Sequence, residues 1–156
     1  MIIYTRLAKA DIASIKPLWE SLNRMHEERS ANFKEHFAAN AFERRIEKFL
    51  RLADDRLYIG AAKDSTAVVG YVVATASGDG TGEIDSIFVG ENHRAGGVGR
   101  ALMEGALTWL SENGCPTVTV GVADGNEETI GFYRRFGFYP RMTILMRRGE
   151  GGEPGP

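Results

Sequence analysis

The sequence contains no glycine before Gly60, although 19 of its 156 residues are glycine. An average protein contains about 7 per cent glycine, so glycine is both abundant and confined to the later part of this chain. Fifteen glycines lie from Gly60 to Gly137, and the other four lie in the last eight residues. Glycine is favoured where the backbone turns tightly, takes a positive φ or approaches a ligand closely. We therefore expect a ligand-binding backbone in the middle of the chain.

Cysteine and long apolar runs are also scarce. The single cysteine, Cys115, cannot form an internal disulfide, and no apolar run approaches the roughly 18 residues of a membrane span. The first residues, MIIYTRLAKAD, lack the basic segment and long apolar stretch of a secretory signal. These features predict a cytoplasmic protein that does not enter a membrane.

No charge of one sign dominates. Lys and Arg total 19 and Asp and Glu total 21, which gives a net charge of −2. This balance offers no overall basic field of the kind that non-specific nucleic-acid binding relies on, and it leaves room for a local basic patch. The three histidines are scattered without metal-ligand spacing, so we expect no metal site. The length and the ordinary proportion of apolar residues predict one domain over residues 1–148, followed by a disordered tail over 149–156.

Hydrophobic periodicity predicts an α/β domain. Two helices are expected between residues 11 and 50, and further helices are expected over 98–110 and 127–136. The β-branched and aromatic runs predict strands over 2–7, 57–62, 67–76, 83–89, 117–122 and 138–148. The second, third and fourth of these strands can form an antiparallel meander, and the last is expected to close the sheet.

The strand over 83–89 carries two carboxylates. A period of two places Glu83 and Asp85 on one face, together with Ile87 and Val89. The same period places Ile84, Ser86 and Phe88 on the other face. Two carboxylates on one face of a strand in a glycine-rich region are candidates for a catalytic base.

The most informative segment is Arg94-Ala95-Gly96-Gly97-Val98-Gly99-Arg100, between this strand and the helix over 98–110. Glycines at a strand-to-helix junction free backbone N–H groups to point at an anion, and the positive end of the helix dipole favours negative charge there. The two arginines add positive charge. The expected ligand is a phosphate or pyrophosphate.

Three phosphate-binding patterns compete for this segment. A Walker loop requires Lys followed by Ser or Thr after its last glycine, but Gly99 is followed by Arg100 and Ala101. A dinucleotide fingerprint requires a third glycine at the position of Leu102, and the segment follows an antiparallel meander, so this match is weak. The third pattern is R-x-x-G-x-G, which Arg94 to Gly99 satisfies.

With this pattern the sequence resembles the GNAT superfamily of acetyl-CoA-dependent N-acetyltransferases. The resemblance runs from about Glu83 to Phe138 and includes the strand ending in Phe88-Val89, the glycine loop, an amphipathic helix, a further strand, and then Asn126 with Phe132-Tyr133. It implies a mixed, mostly antiparallel twisted sheet, splayed between strands 4 and 5 and flanked by about four helices. Acetyl-CoA would lie in the opening as co-substrate, and no metal is needed.

The resemblance also implies roles for individual residues. The backbone of Phe88 and Val89 would bond the pantetheine arm and orient the thioester carbonyl, and Asn126 would contact the same arm. Tyr133 would act as general acid for the departing thiolate. The pyrophosphate would be held by the backbone of the loop residues Arg94, Ala95, Gly96, Gly97, Val98, Gly99 and Arg100.

Acyl transfer to an amine requires a base, because an alkyl ammonium with a pKa near 10 is mostly protonated at neutral pH. Glu83 and Asp85 are both candidates, with Glu83 ahead. Cys115 has no evident activating base, so we expect direct transfer in a ternary complex. A small-molecule amine is favoured over a protein amine as acceptor, and the family's habit of pairing through its final strands allows a homodimer. The alternatives are an acyl-CoA-binding regulatory module and a nucleotide-binding domain.

Overall fold

The computed structural model describes residues 1–149, which contain five strands and six α-helices. The strands are β1 (Ile2–Arg6), β2 (Leu57–Asp64), β3 (Ala67–Ala76), β4 (Thr81–Val89) and β5 (Thr117–Val120). The α-helices are α1 (Lys16–Arg29), α2 (Lys34–Ala38), α3 (Phe42–Arg45), α4 (Glu47–Leu50), α5 (Val98–Glu112) and α6 (Ile130–Arg134). Short 3-10 helices cover Lys9–Ile15, Asp54–Arg56, Glu91–His93 and Glu127–Thr129. None of the helices in residues 1–149 combines the length and hydropathy needed to span a bilayer.

The chain divides into two compact units. The first comprises Met1–Leu22 and Ala41–Gly121, and the second comprises Asn23–Asn40 with the chain from Val122 onward. The first unit contains the whole sheet. The domain bounds of 1–148 stay a prediction, and the tail over 149–156 lies outside the described residues except for Gly149.

The sheet is mixed and mostly antiparallel, as the resemblance implies. Its strand order is β1-β2-β3-β4-β5, with antiparallel neighbours throughout except for the parallel pair β4 and β5. A two-residue turn at Ser65 and Thr66 joins β2 to β3, and Ser65 takes a positive φ of 56° there. The parallel pair requires a crossover, which α5 supplies between the two strands.

The first unit buries one face of the sheet under its early helices. Trp19 of α1 meets Phe42 of α3 edge to face, with ring centroids 5.7 Å apart. These rings belong to one buried cluster with Ile12, Ile15, Phe49, Leu57, Ile59, Tyr71 and Val73. Each large apolar side chain buried in this way contributes about 1.5–3 kcal/mol, so the glycine-free front of the chain supplies a substantial part of the core.

Helix α5 covers the opposite face of the sheet. Its buried side chains are Val98, Leu102, Met103, Ala106, Trp109 and Leu110. Gly82 of β4 permits this close approach, because a Cβ atom there would lie 2.5 Å from Cδ2 of Leu110. The helix begins and ends close to its expected bounds, and Gly114 follows it with a positive φ of 72°.

The second early helix of the prediction is divided in the structure. The apolar positions from Phe33 to Leu50 belong to three short helices, α2, α3 and α4. Ala41 has extended angles, φ −122° and ψ 140°, which interrupt the helical path after Asn40. Asn side chains form hydrogen bonds with nearby backbone groups in non-helical conformations, so Asn40 favours a break at this point. The spacing of apolar residues alone does not reveal such a break.

The strand predicted over Phe138 to Arg148 is wrong, since no regular structure follows α6 in the described residues. The sheet ends at β5, and alternating residues form a strand only when a neighbour accepts their backbone hydrogen bonds. Several large apolar side chains of this segment are exposed, namely Tyr139, Met142, Ile144, Leu145 and Met146.

Candidate active site

A β-bulge in β4 changes the face on which several predicted residues lie. The register of β4 against β3 shifts near the middle of the pair, and Asp85 is left without a β3 partner. A bulge inserts one extra residue and re-aims the side chains around it. Ser86 and Phe88 consequently share the face of Glu83, whereas strict alternation places them on the opposite face.

Two hydrogen bonds between β3 and β4, together with the pairing of Glu83 with Thr75, establish this shared face. Thr75 Oγ1 donates to Oδ2 of Asp85 over 2.8 Å, and the hydroxyl oxygens of Tyr71 and Ser86 lie 2.6 Å apart. Thr75 and Tyr71 are four residues apart on one strand, so their side chains share a face. Phe88 packs against the core cluster that contains Tyr71. The expected alternation is therefore wrong beyond Asp85, because it assumes an uninterrupted ladder.

The two candidate carboxylates have opposite environments. The side chain of Asp85 is only 1 % exposed and is held by Lys48 Nζ at 2.7 Å and by an Arg45 nitrogen at 3.6 Å. Glu83 is exposed, and its carboxylate has no ion-pair or hydrogen-bond partner among residues 1–149. Partial desolvation raises the pKa of Glu83, and the nearby charge of Asp85 raises it further. Glu83 is thus the carboxylate that remains available to a proton.

The sheet opens between β4 and β5. Only Thr81–Ile84 of β4 pair with β5, so the remainder of β4 has no strand neighbour on that side. Gly90 N donates to the Val69 carbonyl on β3 over 2.8 Å. Antiparallel alternation then turns the backbone groups of Phe88 toward β3 and those of Val89 toward the open side. Of the two residues, Val89 presents its backbone N–H to the opening.

The glycine loop ends in an uncapped helix N-terminus. Ala95 and Gly97 take positive φ values of 48° and 81°, and α5 starts at the next residue, Val98. No side chain caps α5, and Ala101 N makes the first intrahelical bond, to the Gly97 carbonyl. The N–H groups of the first turn therefore lack helical partners, which is the arrangement that binds anions.

The two arginines of the loop have different positions. Arg94 lies over the ring of Phe88, 5.1 Å from its centroid, and its Nε donates to the Val89 carbonyl over 3.0 Å. Arg100 pairs with Glu104 one turn further along α5, at 2.8 Å. Arg94 therefore connects the loop to the end of β4, and Arg100 extends from the outer surface of the helix.

Asn126 is a buried polar residue of the second unit. Its Oδ1 accepts a hydrogen bond from Arg29 of α1 over 3.1 Å, and the same guanidinium pairs with Glu128. Asn126 precedes the 3-10 helix Glu127–Thr129 without capping it through its side chain. The side chain that the resemblance assigns to the pantetheine arm is thus oriented by Arg29.

The turn before Asn126 ties together two distant segments of the second unit. Oδ2 of Asp124 accepts from Ser30 Oγ at 2.8 Å and from the N–H groups of Ala31 and Asn32 at 2.9 and 3.2 Å. These three donors hold the pKa of Asp124 below its usual value, with the Ser30 bond first. Such a network depends on contacts about ninety residues apart in sequence, so no local pattern predicts it.

Tyr133 lies in α6 among aromatic rings of the second unit. Its ring centroid is 5.4 Å from that of Phe132 and 6.1 Å from that of Phe138. Burial raises the pKa of Tyr133 to about 12. The phenol therefore keeps its proton at neutral pH, which a hydrogen-bond donor or general acid requires.

Other candidate chemistry is sparse in the described part of the chain. Cys115 is buried, and among the described residues its thiol has one hydrogen-bond partner, the Asn113 carbonyl at 3.8 Å. No group of three or more His, Cys, Asp or Glu side chains in residues 1–149 could hold a metal ion. Asp85 pairs with Arg45 and Lys48. These partners are not evident from sequence, because charges in a periodic helical segment are typical of a solvent-exposed face.

An opened mixed sheet beside a glycine-rich helix N-terminus defines an α/β fold able to receive a long ligand with an anionic end. The family model for "Acetyltransferase (GNAT) family" matches residues 22–138, which is most of the chain. This chain belongs to that family, and it is an acetyl-CoA-dependent acyltransferase. The family uses acetyl-CoA as its co-substrate.

Individual relatives agree with this assignment. The chain is 29% identical over 130 residues to a peptidyl-lysine N-acetyltransferase of Salmonella typhimurium, covering 82% of this chain and 81% of the relative. It is 30% identical over 74 residues to a mycothiol acetyltransferase of Corynebacterium jeikeium, covering 47% of this chain and 21% of the relative. A solved GCN5-related N-acetyltransferase of Ralstonia eutropha superposes with a TM-score of 0.76 at 19% identity, covering 95% of this chain and 99% of that one. The fold class is thereby confirmed.

Proposed function

We propose that this protein transfers the acetyl group of acetyl-CoA directly to a primary amine, with Glu83 as the base. The observation that carries the proposal is the state of the two carboxylates on β4. Asp85 forms ion pairs with Lys48 and Arg45. Glu83 is exposed, its carboxylate has no partner among the described residues, and its pKa is raised by partial desolvation and by the charge of Asp85. An amine with a pKa near 10 must lose a proton before it attacks, and a carboxylate of raised pKa is the better acceptor for it.

We propose that acetyl-CoA is held by the backbone at the open edge and at the loop. The N–H of Val89 would bond the thioester carbonyl and stabilise its oxyanion, and Phe88 would border the pantetheine arm. The pyrophosphate would lie at the free N–H groups that begin α5, where Arg94 and Arg100 supply positive charge. Asn126 would bond the amides of the pantetheine arm.

Tyr133 would donate to the sulfur as the carbon–sulfur bond breaks. Free thiols have a pKa near 8.5, so a phenol with a pKa of about 12 remains protonated wherever the thiolate forms. The transfer balances in protons as well as bonds. Glu83 receives the ammonium proton, and the amine nitrogen bonds the acetyl carbon as the carbon–sulfur bond breaks. Tyr133 gives its proton to the departing sulfur, and the second proton that the attacking nitrogen loses restores the phenol. Buried Cys115 would take no part, which favours a ternary complex over an acyl-enzyme.

For the acceptor we propose the side-chain amine of a lysine in a peptide. This differs from the small-molecule amine favoured by sequence, and the reason is the relative that matches along most of both chains, which is named for peptidyl-lysine. We propose the cytoplasm as the site of the reaction, and a homodimer stays a prediction.

The test is coenzyme A release with lysine peptides and a library of small amines, comparing wild type with Glu83→Gln. We expect the variant to lose about 100-fold in kcat or more, the typical contribution of a general base. Glu112→Gln, an exposed change at the end of α5, is the matched control and should keep wild-type activity. Equal rates for Glu83→Gln would overturn the role of Glu83.

Ligand binding separates the alternatives. Acetyl-CoA should raise the melting temperature measurably, and no increase at saturation would contradict the co-substrate. Binding without turnover on any amine would support an acyl-CoA-binding regulatory module. A preference for ATP or NAD over coenzyme A would support a nucleotide-binding domain.

A further inference from the structure

Charged side chains from three elements, β4, α3 and α4, meet at the bulge residue Asp85. Its carboxylate lies 2.7 Å from Lys48 Nζ of α4 and 3.6 Å from an Arg45 nitrogen of α3. Thr75 of β3 donates to its second oxygen. The side chain is 1 % exposed, whereas those of Lys48 and Arg45 are 47 % and 39 % exposed. A buried carboxylate thus anchors two otherwise solvent-exposed cations.

Glu83 lies beside this cluster on the same face of β4. Thr75 is its direct partner on β3, and the same threonine bonds Asp85. Lys48 and Arg45 therefore act on both carboxylates, but among the described residues they form ion pairs only with Asp85. If Asp85 were neutral, Glu83 would be the remaining carboxylate of this face with which Lys48 and Arg45 could pair.

We infer that Asp85 is a positioning residue that holds Lys48 and Arg45 away from Glu83 and so keeps the Glu83 carboxylate unpaired and ready to take a proton. The inference rests on the proposed function, in which Glu83 is the base. An exposed carboxylate next to two free cations would pair with them, and a paired carboxylate is a weaker proton acceptor. The bulge contributes by leaving Asp85 without a β3 partner, two residues after Glu83 on the same strand.

The charged groups that act on Glu83 in the first unit are few. On its own strand there is Asp85, whose charge raises the pKa of Glu83; on α3 and α4 there are Arg45 and Lys48, whose charges lower it. Its strand partners on β3 and β5 are Thr75 and Thr119, which are neutral. Changes at the three charged positions should therefore move the titration of Glu83 in directions fixed by their signs.

The experiment is an NMR titration of the Glu83 side-chain carboxyl in the full chain, with the pH profile of kcat/KM measured alongside. Asp85→Asn should lower the midpoint of the Glu83 titration by about half a pH unit or more, because it removes one negative charge and frees two cations. Lys48→Met should raise the midpoint by a similar amount, about half a pH unit. The double variant should lie between the two.

The matched control is Thr75→Val, which removes the hydrogen bond to Asp85 without changing any charge. Opposite displacements for Asp85→Asn and Lys48→Met, both reduced in 1 M salt, support the inference. If Asp85→Asn fails to fold, Arg45→Met and Lys48→Met test the same field through half-exposed side chains, and both must raise the midpoint. Displacements in the same direction, or none, overturn the inference.

The two readouts separate this inference from the proposed function. A displaced NMR titration with an unchanged pH profile of kcat/KM means that Asp85 controls Glu83 but that Glu83 is not the base. An unchanged NMR titration with a large loss of activity in Glu83→Gln means that Glu83 is the base without the control proposed for Asp85.

Discussion

Gly125 packs directly against the backbone carbonyl of Arg29, so closely that a Cβ atom at position 125 would overlap the carbonyl oxygen. Arg29 is the last residue of α1, and Gly125 lies in the turn that follows β5, at a positive φ of 88°. The contact brings the end of α1 against the turn that carries Asp124 and Asn126. The second unit is therefore organised around a position that only glycine can occupy.

Gly125→Ala should destabilise the protein by about 3 kcal/mol or more, because it combines a left-handed backbone with a collision against main chain that cannot move aside. The matched control is Gly114→Ala, which also has a positive φ but has no atom within 4 Å of its Cβ position. That variant should lose only about 1 kcal/mol. Urea unfolding measures both, and equal losses would mean that the Arg29 contact has no energetic weight.

Asp124→Asn should destabilise the protein by about 1–3 kcal/mol, since an amide oxygen accepts more weakly than a carboxylate from Ser30 and two backbone donors. The hydrogen bond from Ser30 is the largest of the causes that lower the pKa of Asp124. A lowered folded-state pKa contributes stability above the unfolded value, and the contribution is lost as the pH falls through the folded value. Melting temperatures from pH 7 to pH 3 should thus fall less steeply in Asp124→Asn than in wild type. Parallel curves would contradict the network.

Strands β1 to β5 and the position of the glycine loop could be predicted from sequence, because they depend on local patterns, whereas the strand expected over Phe138 to Arg148 does not form. The apolar runs mark β2, β3 and β4, and the glycines at Gly96 and Gly97 mark a junction whose geometry follows from few residues. The choice between Glu83 and Asp85 depends on Lys48 and Arg45, which lie about forty residues earlier. The bulge at Asp85 and the network at Asp124 likewise depend on register and long-range contact, which periodicity does not encode.

Gly97→Asp should weaken acetyl-CoA binding by about tenfold or more, because it adds a negative charge beside the helix N-terminus that would hold the pyrophosphate. Gly97→Asn is the isosteric control, and both residues tolerate a positive φ better than others do. The difference between the two variants isolates charge and should shrink in high salt. Calorimetric titration with acetyl-CoA measures it, and equal affinities would exclude a phosphate site at this loop.

Arg94→Ala should also weaken acetyl-CoA binding. The side chain adds positive charge next to the loop and bonds the Val89 carbonyl at the open edge of β4, so its loss affects both regions. Removing one charged contact to a phosphate corresponds to about 1.5–3 kcal/mol. Arg56→Ala, in the 3-10 helix before β2, serves as a distant control. An unchanged affinity in Arg94→Ala would remove this residue from the binding site.

Tyr133→Phe should lower kcat by about 100-fold while changing acetyl-CoA affinity little, because the hydroxyl would act on the thiolate that forms during reaction. With a pKa of about 12, Tyr133 should contribute no basic limb to the pH profile below about pH 10. Tyr139→Phe is the control, since Tyr139 belongs to the same unit and is exposed. Equal rates in Tyr133→Phe and wild type would remove the proposed acid.

His26 should make the protein less stable as the pH falls below about 6.5, the ordinary value for histidine. Its Nδ1 is buried without a hydrogen-bond partner among the described residues, and its ring lies 5.3 Å from that of Phe37. Burial lowers the pKa of His26, and the charge of Arg29 lowers it further. The folded state therefore favours the neutral ring. The stability that the buried neutral His26 contributes is present above pH 6.5 and is lost at lower pH, where the histidine of the unfolded chain takes up a proton.

His26→Phe keeps a ring against Phe37 and cannot titrate, so the melting temperature of this variant should fall less than that of wild type between pH 8 and pH 5.5. His36→Gln, at an exposed histidine of α2, should retain the wild-type slope, and an identical slope in all three proteins would contradict a buried neutral His26.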